Sequence, residues 1–121
     1  MQRLTDSLNG IENMIVEMRI YHCAPGRLPA LQERFTNTTL GFFEKYGIEQ
    51  IGFWTTLIGP DSNALTYLLA WDSMGERQQK WTAFQNDPEW HKARDDSERD
   101  GLIVENVANS FLQPTSFSSV K

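Results

Sequence analysis

Apolar and polar residues alternate along four segments of the chain, which is the pattern of β-strands. In the first segment, residues 14–22, apolar and polar side chains alternate. Val16, Met18 and Ile20 alternate with Glu17, Arg19 and Tyr21. The other segments are rich in β-branched and aromatic residues and are bounded by turn residues. They predict strands over 48–58, 64–71 and 102–112.

Apolar residues at helical spacing occupy the segments between these strands. A first helix is predicted over 27–46. A second begins after Ser73, whose hydroxyl is placed to cap the backbone amide of Glu76. A third begins at Pro88 and ends near residue 100, where a glycine follows.

The order of these elements, β-α-β-β-α-α-β, predicts an α+β fold of the ferredoxin-like kind. Such a fold has a four-stranded antiparallel sheet with its helices on one face. We expect one domain over residues 14–113, preceded by a disordered leader over 1–13 and followed by a tail over 114–121.

Assigning strand residues to the two sheet faces by their alternation predicts a second face that is mixed rather than plainly polar. The helix-facing set is Val16, Met18, Ile20, Ile51, Phe53, Leu65, Tyr67, Leu69, Trp71, Val107 and Phe111. The opposite set is Tyr21, Trp54, Thr56, Ile58, Leu68, Ala70, Val104, Ala108 and Leu112, with Glu17, Arg19, Gln50, Thr66, Asn106 and Ser110. An apolar face of this extent predicts a homodimer that pairs through it. A monomer that tolerates the patch is the alternative.

Charge and cysteine content exclude several functional classes. The 121-residue chain carries a formal net charge of −5, and its 11 basic residues are scattered. This argues against nucleic acid or an anionic membrane as a partner, because both need clustered Lys and Arg. No apolar stretch is long enough to span a membrane. The single cysteine, Cys23, favours a reducing, cytoplasmic location.

Several short motifs together resemble the NIPSNAP family. The motifs are PGRLPAL at 25–31, FFEKYGI at 42–48, GFWTT at 52–56, YLLAW at 67–71 and DPEW at 87–90, and the resemblance spans about 16–114. It implies a dimeric α+β barrel and little about chemistry. Related barrels include cofactor-free monooxygenases, lactone isomerases and haem enzymes, so any activity would be transferred on fold alone.

Five residues are candidates for a small-molecule site. Arg19 and Tyr21 share one face of the first strand with Glu17, either as part of an ion pair across the dimer or as the polar wall of a cavity. In the second case Arg19 binds an acid and Tyr21 donates a hydrogen bond. The remaining candidates are His22 at the strand end and the strand tryptophans Trp54 and Trp71.

The sequence contains no motif that identifies a reaction. With two histidines and one cysteine there is no paired-ligand spacing, so we expect no metal and no bound cofactor. Our first hypothesis is a barrel that binds a small apolar or aromatic molecule, as a cofactor-free monooxygenase or isomerase. The alternative is a non-catalytic module for protein interaction. An enclosed pocket favours the first hypothesis, and a filled interior with an exposed apolar patch favours the second.

Overall fold

A computed structural model describes residues 14–120, and it confirms the predicted α+β fold with four antiparallel strands. The predicted leader over 1–13 lies outside the described residues, as does Lys121 at the end of the predicted tail. The sheet order is β2-β3-β1-β4. The strands are β1 (Ile15–Cys23), β2 (Glu49–Thr55), β3 (Ala64–Trp71) and β4 (Val104–Leu112).

The helices cover the predicted segments with one irregularity. They are α1 (Leu28–Arg34), α2 (Leu40–Lys45), α3 (Met74–Gln85) and α4 (Pro88–Ser97), and a π-helical turn at Phe35–Thr39 joins α1 to α2. In that turn the Thr36 hydroxyl donates to the carbonyl of Gln32 at 3.0 Å. Threonine hydroxyls compete for backbone carbonyls and disturb regular helical bonding. The alternation of apolar residues could not predict this turn.

Both predicted helix starts in the second half of the chain are confirmed. The Ser73 hydroxyl accepts from the Glu76 amide at 3.0 Å, and this bond caps α3. The Asp87 carboxylate accepts from the Glu89 amide at 2.8 Å at the start of α4. These caps fix where the two helices begin over the sheet.

The core between the helices and the sheet consists mainly of aromatic rings. The rings of Phe43 and Phe84 lie edge to face with centroids 5.6 Å apart, and Phe43 also contacts Tyr67 of β3. Phe43 is fully buried, so its replacement by alanine would cost about 3–5 kcal/mol. The buried core set is Cys23, Leu31, Phe35, Phe43, Ile48, Leu65, Tyr67, Leu69, Trp71, Trp81, Phe84, Trp90 and Ile103.

The predicted facing of β1 is wrong. Its odd-numbered residues lie on the helix side, where the Arg19 guanidinium stacks over the Trp81 ring of α3 at 4.5 Å. Val16 instead packs with Met14 and Ala70 in a cluster that contains no helix residue. Alternation places polar side chains toward water, but Glu17 and Arg19 are buried because they bind each other and a helix residue.

Two β-bulges and an early strand end account for the further corrections, which include Gln50, paired with Leu69 of the helix side, and Thr56, which lies beyond the end of β2. The pairing register shifts between Gln50 and Gly52 and between His22 and Cys23. An extra residue in a strand reverses the alternation beyond it, so Ile51 packs on the second face, while Val104 packs against the helix-side core. Since β2 ends at Thr55, Ile58 lies in the following loop and is 94% exposed.

The corrected second face is more apolar than the sequence predicted. In β1 it carries Val16, Met18 and Ile20, which the structure places opposite the helices together with Leu68 and Ala70 of β3. No helix within residues 14–120 has the length and apolar character needed to cross a membrane.

Candidate functional site

The carboxylate of Glu17 is fully buried and accepts five hydrogen bonds. Oε1 accepts from the Trp71 indole and from Arg77 Nε, both at 3.1 Å. Oε2 accepts from Arg19 Nη1 at 2.9 Å, Arg77 Nη2 at 3.0 Å and Asn109 Nδ2 at 3.1 Å. These residues, with Tyr67 and Tyr21, are called the Glu17 cluster below.

Four elements bring the Glu17 cluster together. Glu17, Arg19 and Tyr21 project from the same side of the central strand β1 because side chains alternate along a strand. β3 supplies Trp71 and Tyr67, and β4 supplies Asn109, which pairs directly with Arg19. Arg77 comes from the first turn of α3, whose start is fixed by the Ser73 cap.

Hydrogen bonding keeps Glu17 ionised despite its burial. Burial alone would raise the pKa of this carboxyl, but hydrogen bonds from Arg77 and Asn109 and the charge of Arg19 outweigh that effect and lower the pKa below its usual range. For Tyr67, burial is the largest influence and raises the pKa well above that of a free tyrosine. The cluster therefore contains a carboxylate and a protonated phenol at neutral pH.

Two tyrosine hydroxyls form a chain that starts at Arg19. Arg19 Nε donates to the Tyr67 hydroxyl at 2.9 Å, and the Tyr67 hydroxyl donates to that of Tyr21 at 2.8 Å. Tyr21 also accepts a long bond from Arg19 Nη2 at 3.5 Å. Within residues 14–120 the Tyr21 proton has no acceptor. Each bond in such a chain polarises the next, so Tyr21 presents a strengthened donor.

Aromatic rings enclose both guanidinium groups. Arg19 lies 4.5 Å from the Trp81 centroid and 5.5 Å from that of Tyr21. Arg77 lies 5.3 Å from the Trp81 ring and 5.2 Å from the Phe111 ring. Arginine stacks readily on aromatic faces because its planar cation is weakly hydrated. The rings leave the in-plane edges of the guanidinium groups to make hydrogen bonds.

An apolar groove of about 460 Å³ begins at Phe111, next to Arg77. Phe111 is 42% exposed although it lies on the helix side of the sheet. This groove, called the Phe111 groove below, matches the lower range of small-molecule sites in size. It is lined by Met14, Ile15, Asp72, Ser73, Met74, Phe111, Leu112 and Gln113.

The five candidates predicted from the sequence fall into two groups. Arg19, Tyr21 and Trp71 belong to the Glu17 cluster, in which Trp71 is fully buried and holds the carboxylate. His22 lies on the second face, where its Nδ1 is 2.6 Å from Asp61 Oδ2. Trp54 also lies on the second face, and its ring folds back over Gly52. One pocket therefore does not contain all five residues.

Trp54 borders a different groove, of about 400 Å³, beside the edge strand β2. Its walls combine Phe35 of the π-helical turn with Phe53 and Leu65 of the sheet. No ionised side chain lines it. The polar groups on its walls are the uncharged side chains of Gln32, Thr36 and Thr55.

Sequence reasoning missed Arg77, Asn109 and Tyr67 as members of the site. Arg77 and Asn109 are ordinary polar residues of a helix and a strand, and their convergence depends on tertiary packing. One signal was available for Arg77. Glu17 and Arg19 on one strand face could be buried only with further donors, and Arg77 follows the predicted cap of α3 by one turn.

In the part of the chain that the structure describes, no three His, Cys, Asp or Glu residues are grouped so that they could hold a metal ion. Cys23 is a free, buried thiol, and burial raises its pKa. The residues of the Glu17 cluster can supply hydrogen bonds, charge and apolar contact.

Comparisons with known proteins agree with this fold. The NIPSNAP family model matches residues 16–119. The chain is 25% identical to an uncharacterised NIPSNAP-like domain protein from Burkholderia xenovorans, with a TM-score of 0.79 over 88% of this chain and 90% of that one.

Two structures from Agrobacterium tumefaciens are similarly close in fold. A NIPSNAP family protein has a TM-score of 0.80 and 23% identity over 90% of this chain and 100% of its own. A second, described as having unknown function, has a TM-score of 0.79 and 24% identity, covering 91% and 96%. No curated protein matches the sequence.

Proposed function

The chain belongs to the NIPSNAP family, and from its Glu17 cluster we propose that it binds a small apolar or aromatic molecule beside β1 and β4. The observation that carries this proposal is a largely apolar groove that begins at Phe111, whose ring contacts the Arg77 guanidinium; it is open, in contrast to the enclosed pocket that the sequence led us to expect. A small-molecule site needs an apolar surface for affinity and a few oriented polar groups for specificity. Here the groove provides the first and the cluster provides the second.

The hydroxyl of Tyr21 gives the Glu17 cluster a second donor, outside the set of residues that line the Phe111 groove. Its proton is free of acceptors in the described chain, and Arg19 and Tyr67 polarise it from behind. A preorganised donor of this kind stabilises negative charge that develops on a substrate oxygen, as in an enolate. We propose isomerisation or cofactor-free oxygenation of such a substrate as the reactions to test first.

A thermal-shift screen tests the binding proposal. The purified protein is scanned against aromatic acids, quinones, flavins and haem, with Phe111→Ala as the site variant. Phe117→Ala is the matched control, because Phe117 is exposed and does not line the groove. We expect a ligand that raises the unfolding midpoint of the unmodified chain and of the control, with a smaller gain in Phe111→Ala. If the whole set produces no shift, the interaction module replaces this proposal.

We also propose that the chain forms a homodimer through the second face of its sheet. Met18 and Ile20 of β1 and Leu68 of β3 are partly exposed on that face, and an apolar surface on central strands favours self-association. Cys23 is buried and has no disulfide, which fits our proposal of a reducing, cytoplasmic setting.

The mass in solution tests the dimer. Light scattering after size exclusion should give twice the chain mass for the unmodified protein and the monomer mass for Met18→Asp. Glu105→Gln is the control, because Glu105 is an exposed residue of the edge strand β4. A monomer mass for the unmodified chain would overturn the proposal.

A further inference from the structure

The Glu17 cluster contains more positive than negative charge. Arg19 and Arg77 each form an ion pair with Glu17, at 2.9 and 3.0 Å. Among the residues described here, no other carboxylate pairs with either arginine. Two guanidinium groups against one carboxylate leave a net charge of +1 in a site whose arginine side chains are only 11% and 14% exposed.

Arg77 has one hydrogen-bonding group to spare. Its Nε and Nη2 are both used by the Glu17 carboxylate, and the rings of Trp81 and Phe111 lie over its guanidinium. Nη1 has no partner within residues 14–120. Glu17, with five donors on two oxygens, has no capacity left to accept another bond. The free edge of Arg77 is thus where the surplus charge meets a ligand.

From this geometry we infer that the ligand of the proposed site is a monoanion, an apolar or aromatic acid whose charged group binds Nη1 of Arg77 while its body lies in the Phe111 groove. The inference rests on the proposed function and adds the charge of the ligand. A carboxylate or enolate oxygen would complete the guanidinium hydrogen bonds and neutralise the cluster. A neutral molecule would leave a partly buried cation without its counter-charge. Asp72 also lines the groove, but it is exposed, so water screens its charge more than it screens the charges of the buried arginines.

A matched series of ligands tests the charge directly. The probes are 2-naphthoate, 2-naphthamide and 2-naphthylmethylammonium, which share one ring system and carry a charge of −1, 0 and +1 at neutral pH. We expect naphthoate to bind roughly tenfold or more tightly than the amide by calorimetry, since a hydrogen bond to a charged group contributes that much. The ammonium compound should bind most weakly.

A charge variant locates the effect. Asn109→Asp adds a negative charge beside Glu17 and Arg77 at almost constant side-chain volume, and it should abolish the preference for naphthoate over naphthamide. Asn106→Asp makes the same change on the same strand, but residue 106 pairs with His22 and faces the other side of the sheet. The preference should survive there.

The outcomes separate this inference from the proposed function. Equal binding of naphthoate and naphthamide to the unmodified chain would overturn the inference and leave the binding site standing. Absence of binding by all three probes and by the aromatic screen would overturn both. If Asn109→Asp does not fold, the ligand series on the unmodified chain still decides the question.

Discussion

Glu17 and Asp87 are both almost completely buried, at 0% and 6% exposure, yet they are built into the protein in different ways. Asp87 accepts from Lys45 Nζ at 2.8 Å, from the Tyr46 hydroxyl at 2.6 Å and from the Glu89 amide. One carboxylate meets one ammonium group, and the charges balance. Glu17 faces two guanidinium groups and has a surplus of donors around it.

The difference separates a structural polar cluster from a candidate site. Asp87 caps α4 and ties its start to the end of α2, and those two tasks account for its contacts. The Glu17 cluster is larger than its structural task requires, because Nη1 of Arg77 and the Tyr21 proton have no partner within residues 14–120. A buried network whose carboxylate has all its hydrogen bonds, but whose outer donors have none within the described chain, is suited to binding a ligand.

The largest effect is expected from Glu17→Gln, which removes the charge that Arg19 and Arg77 share. Breaking a buried ion pair from one side leaves uncompensated charge, so the free energy of unfolding should fall by about 3–5 kcal/mol. Urea denaturation followed by circular dichroism measures the change.

Asp87→Asn is the matched comparison. Asparagine also caps helices well, and Lys45 is half exposed and can turn to water, so this variant should lose much less stability. Equal losses in the free energy of unfolding of Glu17→Gln and Asp87→Asn would contradict the proposed difference in charge balance between the two clusters.

A smaller effect is expected from Tyr67→Phe. The change leaves Arg19 Nε without its acceptor in a buried position, which should cost about 1–3 kcal/mol. The control is Tyr46→Phe, where Asp87 keeps its bonds from Lys45 and Glu89. Thermal unfolding of both variants measures the difference, and a larger loss in Tyr46→Phe would contradict the account.

Acid should weaken both clusters. The folded pKa of each carboxyl lies below its unfolded value. For Glu17, burial raises the pKa, but the hydrogen bonds from Arg77 and Asn109 and the charge of Arg19 lower it by more. For Asp87, the hydrogen bond from Lys45 is the largest cause of the lowered pKa. The stability they contribute is complete above the unfolded pKa values of about 4–4.5 and is lost as pH falls through the folded values. The stability of Glu17→Gln should therefore fall less between pH 5 and pH 2.5 than that of the unmodified chain. Equal losses of stability in Glu17→Gln and the unmodified chain over this pH range would contradict this prediction.

The smallest effect is expected from Lys45→Met. Its ammonium group is half exposed, and exposed ion pairs contribute little because water screens them. The unfolding midpoint should change only slightly, and the affinity for 2-naphthoate should not change at all. Loss of naphthoate binding in this variant would place the anion site at Lys45 instead of Arg77.

Much of the fold follows from local patterns, whereas the site follows from tertiary contacts. Alternation located the four strands, and the cap at Ser73 and the proline at position 88 located two helix starts, because these signals act within a few residues. The facing of β1 could not be found this way. Alternation places Glu17 and Arg19 on the face opposite the helices, and only the approach of Arg77 from α3 makes their burial on the helix side favourable.

Bulges set a second limit on prediction. The extra residue between Gln50 and Gly52 sends Ile51 to the second face. A glycine inside a strand is a signal of a bulge, but the assignment of faces by alternation did not use it. Tyr21 and His22 are neighbours on β1, so their side chains lie on opposite faces of the sheet. The residue types of the site were therefore predictable in part, and their grouping was not.

The most direct test of the surplus charge is nitrogen–proton NMR of the side chains while 2-naphthoate is titrated. The account predicts that the Arg77 Nε and Asn109 Nδ2 signals shift in proportion to occupancy and that the exposed Arg99 signal stays unchanged. Saturable naphthoate binding that leaves Arg77 and Asn109 unperturbed would contradict the assignment of this cluster as the anion site.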